Sequence, residues 1–139
     1  MIARIRQGLI FIFGRYKEEW NNEIKGVLTL EEYEIFKNMS RYDRIHSFRL
    51  YRLVKDDELL GEKRLYQKLA LLHDCGKYNA SLYRRVKKVL IGEKSLENHS
   101  EISYEKLKNI DIELAKLARE HHSSSKDIYL KRFQKLDDE

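Results

Sequence analysis

A histidine and an aspartate stand side by side where an apolar segment ends. The stretch LALLHDCGKYNA, residues 69–80, places His73 and Asp74 after leucines and alanine, and Cys75, Gly76 and Lys77 follow. Imidazole and carboxylate are both common metal ligands, and two neighbouring side chains at a helix end can reach one centre. The pair is therefore predicted to bind a metal within an apolar bundle. Lys77 stays near it as a positive group, and Cys75, which lacks a base of its own, is predicted to be a buried thiol.

The other histidines also fall on apolar helix faces. His46 precedes Leu50 and Leu53 by four and seven residues, and His121 follows leucines at the same spacings. His122 follows two alanines in the same way, whereas His99, at the start of its helix, is less clearly placed. A single inward histidine is usually a core residue with a hydrogen-bond partner. Because each unpartnered imidazole costs about 1–3 kcal/mol, four inward histidines from three helices favour a shared cation.

An aspartate near the C-terminus has the same character. Asp137 follows Leu130 and Phe133 by seven and four residues, whereas Asp138 has polar residues at those spacings. Asp137 is thus predicted to face the core, where a carboxylate without a partner or a metal is very costly. The alternative is a carboxylate in a frayed tail, since chain ends are often poorly ordered.

The elements that position these side chains can be placed by caps and glycines. Thr29 and Glu32 form a capping box that predicts a helix to about Met39, and Ser40 with Asp43 predicts a second to about Lys55. We expect a third helix from Gly61 to about Asp74, with Gly76 as a left-handed cap. A fourth is expected over 81–91 before Gly92, and a fifth over 99–109. The last two are expected over 112–122, capped by Asp111, and from about Lys126 to the end.

Composition favours an all-α, single-domain helical bundle of about eight helices. The chain has 139 residues, no proline and 6 glycines, and no segment alternates with period two. Residues 1–27 are predicted to form an amphipathic helix packed on the domain, which spans residues 28–139. Resting on a membrane surface is the alternative for that helix.

Charge and cysteine content limit the partners. The net charge of +5 favours anionic partners, but 28 basic residues against 23 acidic ones do not demand nucleic acid. A single cysteine allows no disulfide within the chain, which suits a reducing cytosol. The apolar stretch near the N-terminus is too short to span a membrane, so a cytoplasmic protein without a transmembrane segment is expected.

The order of these residues resembles the H…HD…D signature of the HD-domain metal-dependent phosphohydrolases. LLHDCGK resembles the HD-x-G-K stretch of that superfamily, and DRIHSFRLYRLV resembles the helix that carries its first histidine. ENHSEISYEKL is similar to the HPE-x-G-x-x-L segment of a subset with a third histidine, and LAREHH resembles the double histidine of that subset. The match runs from about Leu28 to the C-terminus and uses all five histidines.

The resemblance implies an all-α fold with the metal site in its middle. The minimal ligands would be His46, His73, Asp74 and Asp137, and the added His99, His121 and His122 imply the dinuclear subset. Asp74 would then bridge two ions. Iron or manganese is expected for such a mixed set, and zinc, nickel, cobalt or magnesium are alternatives.

The expected function is hydrolysis of a phosphate ester or anhydride, in a nucleotide or similar small phosphorylated compound, by a metal-activated water. Asp74 would orient the nucleophile, and Lys77 would contact the phosphate or assist the leaving group. The chain has no Gly-Tyr-Pro motif, which sets aside the cyclic-dinucleotide-cleaving branch, and it has serines where a dinucleoside-polyphosphate branch usually has glycine. The glycine common after the third histidine is also missing. The alternative is a metal-holding sensor or nucleotide-binding domain with little turnover.

Overall fold

The computed structural model describes residues 15–77 and 99–138. These two ranges contain helices and turns and no strand, which confirms the predicted all-α class. The helices are α1 Trp20–Val27, α2 Leu30–Lys37, α3 Arg41–Asp56, α4 Arg64–Leu72, α5 His99–Leu107, α6 Ile112–Glu120 and α7 Ile128–Asp137. The helix predicted over 81–91 lies outside the described residues, as do residues 1–14 of the predicted N-terminal helix.

Side-chain caps begin the helices where the sequence predicts them. The Glu32 amide donates to Thr29 Oγ1 at 3.2 Å and the Thr29 amide to Glu32 Oε1 at 2.8 Å, so α2 opens with a capping box. The hydroxyl of Ser40 accepts from the Asp43 amide at the start of α3. Asp111 accepts from the Leu114 amide and so caps α6. These caps fix the residue at which each helix begins.

The last helix begins two residues later than expected. The carboxylate of Asp127 accepts from the amides of Tyr129 and Leu130 at 2.8 and 3.2 Å, so Asp127 is the N-cap and α7 starts at Ile128. With that start, Leu130, Phe133 and Leu136 are buried along one face of α7. The helix ends at Asp137, which lies on the same side of α7 as these buried residues and faces the bundle.

The turn after α4 departs from the prediction at Gly76. The helix ends at Leu72, His73 is its C-cap, and Gly76 does not adopt the left-handed conformation that was predicted for it. Glycine is required here because of a close approach: a Cβ would meet the backbone oxygen of His99 and the backbone nitrogen of Ser103. The first turn of α5 therefore lies directly against the His73–Asp74 turn.

The core lies between α3, α4 and the helices around them. Leu69, Leu71 and Leu72 are fully buried on α4, and Phe48 and Tyr51 are buried on α3. The α1 helix packs on the same core through Ile24 and through Trp20, whose ring stacks on that of Phe48 at 4.3 Å. No helix in the described ranges has the length and apolar character needed to cross a bilayer.

Candidate metal centre

The His73–Asp74 turn lies inside the buried core of the bundle. His73 is fully buried and Asp74 is 3% exposed. The Nδ1 atom of His73 lies 3.0 Å from the carbonyl oxygen of Ala70, which can only accept, so Nδ1 carries the proton. In the neutral ring, Nε2 is then a lone-pair donor that points away from the helix. Metal-binding histidines are commonly oriented by such a bond from the second ring nitrogen.

His46, His73 and Asp137 form the first donor group. Their ligand atoms all lie within 4.8 Å of one another. Asp137 Oδ1 is 3.2 Å from His46 Nε2 and 3.5 Å from His73 Nε2. The three side chains come from α3, from the turn after α4 and from the end of α7, so tertiary packing alone brings them together.

Asp74, His99, His121 and His122 form the second donor group, whose ligand atoms also lie within 4.8 Å of one another. Asp74 Oδ1 is 3.5 Å from His99 Nε2 and 3.7 Å from His121 Nε2. His121 Nδ1 lies 2.6 Å from the Ala118 carbonyl, which fixes this ring as Ala70 fixes His73. The structure thus brings all seven sequence-predicted ligand residues into two adjacent groups.

His122 differs from its neighbours because its side chain is exposed. Its ring lies 3.9 Å from that of His121 and 5.1 Å from that of His99, measured between centroids. The ring is still partly covered by protein, and this partial burial together with the neighbouring His121 lowers the pKa of His122 to about 4. The ring is therefore neutral near pH 7, and its lone pair is available to a metal.

The carboxylate of Asp74 connects the two groups. Its Oδ2 atom lies 3.1 Å from His73 Nε2, while its Oδ1 atom faces His99 and His121. One oxygen on each side is the arrangement of a bridging carboxylate.

The chemistry of the donor set fits metal ions. His73 Nε2, His121 Nε2 and Asp74 Oδ1 are buried, yet none has a hydrogen-bond partner among residues 15–77 and 99–138. His73 Nε2 and Asp74 Oδ2 lie 3.1 Å apart as an ion pair. Buried polar atoms are rarely left without a hydrogen bond, because each costs about 1–3 kcal/mol. Cations between these atoms would satisfy all of them.

The ionisable groups of the centre stabilise the charged forms of one another. Burial disfavours the charged form of each group, but the mutual attractions outweigh it. His73 and Lys77 hold the pKa of Asp74 well below its usual range, and His73 with a hydrogen bond from His46 lowers the pKa of Asp137. The two carboxylates in turn raise the pKa of His73 well above 6.5, so an ion that binds there would displace the proton on its Nε2 atom. Both aspartates are thus ionised at neutral pH, as metal ligands must be.

Lys77 lies on the Asp74 side of the centre. Its Nζ atom is 3.3 Å from Asp74 Oδ2. Burial would lower the pKa of Lys77, but Asp74 more than compensates and raises it above 10.5. The ammonium group therefore stays charged beside the donors. Cys75, as predicted, is buried, and burial raises the pKa of its thiol to about 11.

Sequence reasoning missed Ser103, which holds the turn in place. Its hydroxyl accepts from the Gly76 amide at 2.8 Å and lies 3.3 Å from the His73 carbonyl as a donor. Lys106, one turn further along α5, donates to the Cys75 carbonyl at 2.8 Å. The only sequence signal for Ser103 is that it stands where the resembling segment has glycine. The helix that carries His99 is thereby fastened to the turn that carries His73 and Asp74.

A cavity of about 260 Å³ opens beside the donors. Donors from both groups line it, and polar residues complete its wall: His121, His122, Asp137, Ser123, Ser124, Gln134 and Asp138. Lys77 does not belong to this lining. The second donor group is thus reachable from a space that can hold a small molecule.

Helices that converge on two groups of histidine and aspartate define an α-helical domain with a candidate metal centre. The family model for the HD domain matches residues 43–138, which is most of the chain, and the chain belongs to this family. Members of the family are generally metal-dependent phosphohydrolases, as the sequence resemblance implied. Searches of curated proteins and of solved structures found no match to this chain.

Proposed function

We propose that this protein is a metal-dependent phosphohydrolase that cleaves a phosphate ester or anhydride of a small compound such as a nucleotide. The observation that carries the proposal is the position of Asp74, whose two oxygens face two separate groups of histidine donors. A site that only stored one ion would need a single group. Two ions about a shared carboxylate are suited to holding a phosphate while water attacks it.

His46, His73 and Asp137 would hold one ion and His99, His121 and His122 the other, with Asp74 shared by both. Mixed imidazole and carboxylate donors suit iron or manganese. When bound, such ions acidify water and offset the negative charge that builds up on the phosphate oxygens. The backbone bonds of His73 and His121 fix the tautomers that this binding needs.

Lys77 is the proposed phosphate contact. Its ammonium group is held 3.3 Å from Asp74 Oδ2 and stays charged because of that carboxylate. A fixed positive charge beside the shared ligand attracts a phosphate oxygen and stabilises charge on it during reaction. Lys77 is not among the residues that line the cavity, so this contact would require the phosphate to extend past Asp74 toward the ammonium group.

The cavity favours an enzyme over a sealed metal store. A sensor or metal-holding domain, the alternative, needs no space next to the ions, but here about 260 Å³ opens on His121, His122 and Asp137. This volume lies just below the range of most ligand sites, which run from roughly 300 to 1,000 Å³. A small phosphorylated compound suits it better than a nucleic-acid strand.

The test combines metal content with turnover. Elemental analysis of the purified protein should find two ions per chain, and phosphate should be released from members of a panel of nucleotides and sugar phosphates with added manganese or iron. Asp74→Ala should reduce both bound metal and phosphate release to background. Asp56→Asn, an exposed carboxylate at the end of α3, serves as the control and should change neither. A metal-loaded protein that is inert on the whole panel would favour the sensor, and full activity in Asp74→Ala would contradict the mechanism.

A further inference from the structure

We propose that Gln134 is a positioning residue that holds the turn after α6 and so keeps His122 at the second donor group. The inference rests on the proposed function, since it concerns the second of the two ions. Gln134 lies on α7, lines the cavity, and has no role in the scheme above.

The side-chain amide of Gln134 makes two hydrogen bonds to this turn. Its Nε2 atom donates to the His121 carbonyl at 3.1 Å and to the Ser123 carbonyl at 2.7 Å. Carbonyls can only accept, so the NH₂ end of the amide must face them and both of its protons are used. The last carbonyls of a helix lack partners within the helix. Gln134 therefore acts as a C-terminal cap for α6 that is supplied by another helix.

Through Asp137 and Gln134, the α7 helix contacts the elements of both donor groups. Gln134 precedes Asp137 by three residues, so both side chains lie on one face of α7. Asp137 contributes to the first group and Gln134 holds the turn that presents His122 to the second. A single helix thus sets the position of one donor directly and of another through a hydrogen-bonded turn.

His122 should depend on Gln134 more than His121 does. His121 is buried, its Nδ1 is bonded to the Ala118 carbonyl, and its ring packs edge-on against His73 at 5.1 Å. His122 is exposed, and in the described parts of the chain its ring has ring contacts but no hydrogen bond. Its place is therefore set mainly by the backbone of the turn that Gln134 holds.

Manganese titration of chelator-treated protein tests this inference without any substrate. Gln134→Leu and Gln134→Met remove both donors while keeping much of the side-chain volume. We expect each variant to bind the first ion as the wild type does and the second roughly 10- to 100-fold more weakly, the usual effect of losing a residue that orients a ligand. Lys135→Ala, an exposed neighbour on α7, is the matched control and should bind both ions normally.

Unchanged affinity for both ions in the two variants would overturn the inference. Equal weakening of both ions, or loss of the circular dichroism of the native fold in both variants, would also overturn it, because Gln134 would then act on the whole domain. A wild-type protein that binds one ion would instead contradict the proposed function. The wild-type titration alone thus separates the two failures.

Discussion

Because Gly76 has no side chain, α5 can lie close against the His73–Asp74 turn. A Cβ there would meet backbone atoms of His99 and Ser103, which cannot move aside as flexible side chains do. We expect Gly76→Ala to lower the free energy of unfolding by at least about 2 kcal/mol and to displace His99 from the second donor group. Urea denaturation and the metal content of the folded fraction measure the two effects.

Gly26 provides the matched control for that substitution. It lies inside α1, and a Cβ there would have nothing within 4 Å. Alanine is favoured over glycine in a helix by about 0.5–1 kcal/mol, so Gly26→Ala should be neutral or slightly stabilising. If Gly76→Ala were as stable as Gly26→Ala, the close approach of α5 to the turn would be wrong.

Residue types and spacing predicted which side chains come together. They did not predict the hydrogen bonds that fix the turns carrying these side chains. His46, His121 and Asp137 were selected because each follows or precedes apolar residues at helical intervals. Ser103 and Gln134 could not be selected in this way, since each bonds to the backbone of a segment distant in sequence. Such contacts depend on how helices dock, and one sequence carries no periodic signal for that.

At the scale of elements, an ion pair fastens α7 to the end of α3. Arg132 donates to Asp57 Oδ1 from its Nε atom at 2.8 Å and from a terminal nitrogen at 2.6 Å. The other oxygen, Asp57 Oδ2, accepts from the amides of Leu59 and Leu60. The helices joined here carry His46 and Asp137, so this pair supports the first donor group. A guanidinium can contact the carboxylate through two nitrogens, which lysine cannot do.

We expect Asp57→Asn to lower the free energy of unfolding by roughly 1 kcal/mol, because charged hydrogen bonds to a partly buried carboxylate are lost. The hydrogen bonds from Arg132 are the main cause of the lowered pKa of Asp57. A carboxylate with a depressed folded-state pKa contributes stability above its unfolded pKa of about 4 and loses it as the pH falls further. The difference between wild type and Asp57→Asn should thus be constant above about pH 5 and shrink below pH 4.

Urea denaturation at several pH values measures this difference, with the exposed neighbour Asp56→Asn as control. A wild-type advantage that grew as the pH fell would contradict the assignment. Arg132→Lys should reproduce part of the loss, since it keeps the charge but not the two-nitrogen contact.

Capping side chains predicted the helix starts better than glycines predicted the helix boundaries. The side chains of Thr29, Ser40 and Asp111 bond to nearby amides as their sequence patterns require. Gly61 was expected to open a helix, but α4 begins at Arg64. The Gly61 amide instead donates to the Asp57 carbonyl, and the chain there passes close to backbone oxygens. A glycine in sequence does not reveal whether conformation or close approach requires it.

At the scale of the whole molecule, the donors come from α3, α5, α7 and the turns after α4 and α6. Ions bound there would cross-link most of the helices that the structure describes. Because the unfolded chain cannot assemble such a site, binding should stabilise the fold by about 2.7 kcal/mol per ion at 100 times the dissociation constant. Chelation should accordingly lower the urea midpoint of purified protein, and manganese should restore it.

The dependence of that stability on free manganese counts the ions. Each tenfold increase in free metal adds about 1.4 kcal/mol for every ion bound only by the folded state, so two ions predict a slope of about 2.8 kcal/mol per decade at saturation. Asp74→Ala, which loses the ligand common to both groups, should show a slope near zero. A wild-type slope near 1.4 would mean that one group alone binds, and a flat wild-type response would mean that the buried imidazoles of this domain do not hold manganese at all.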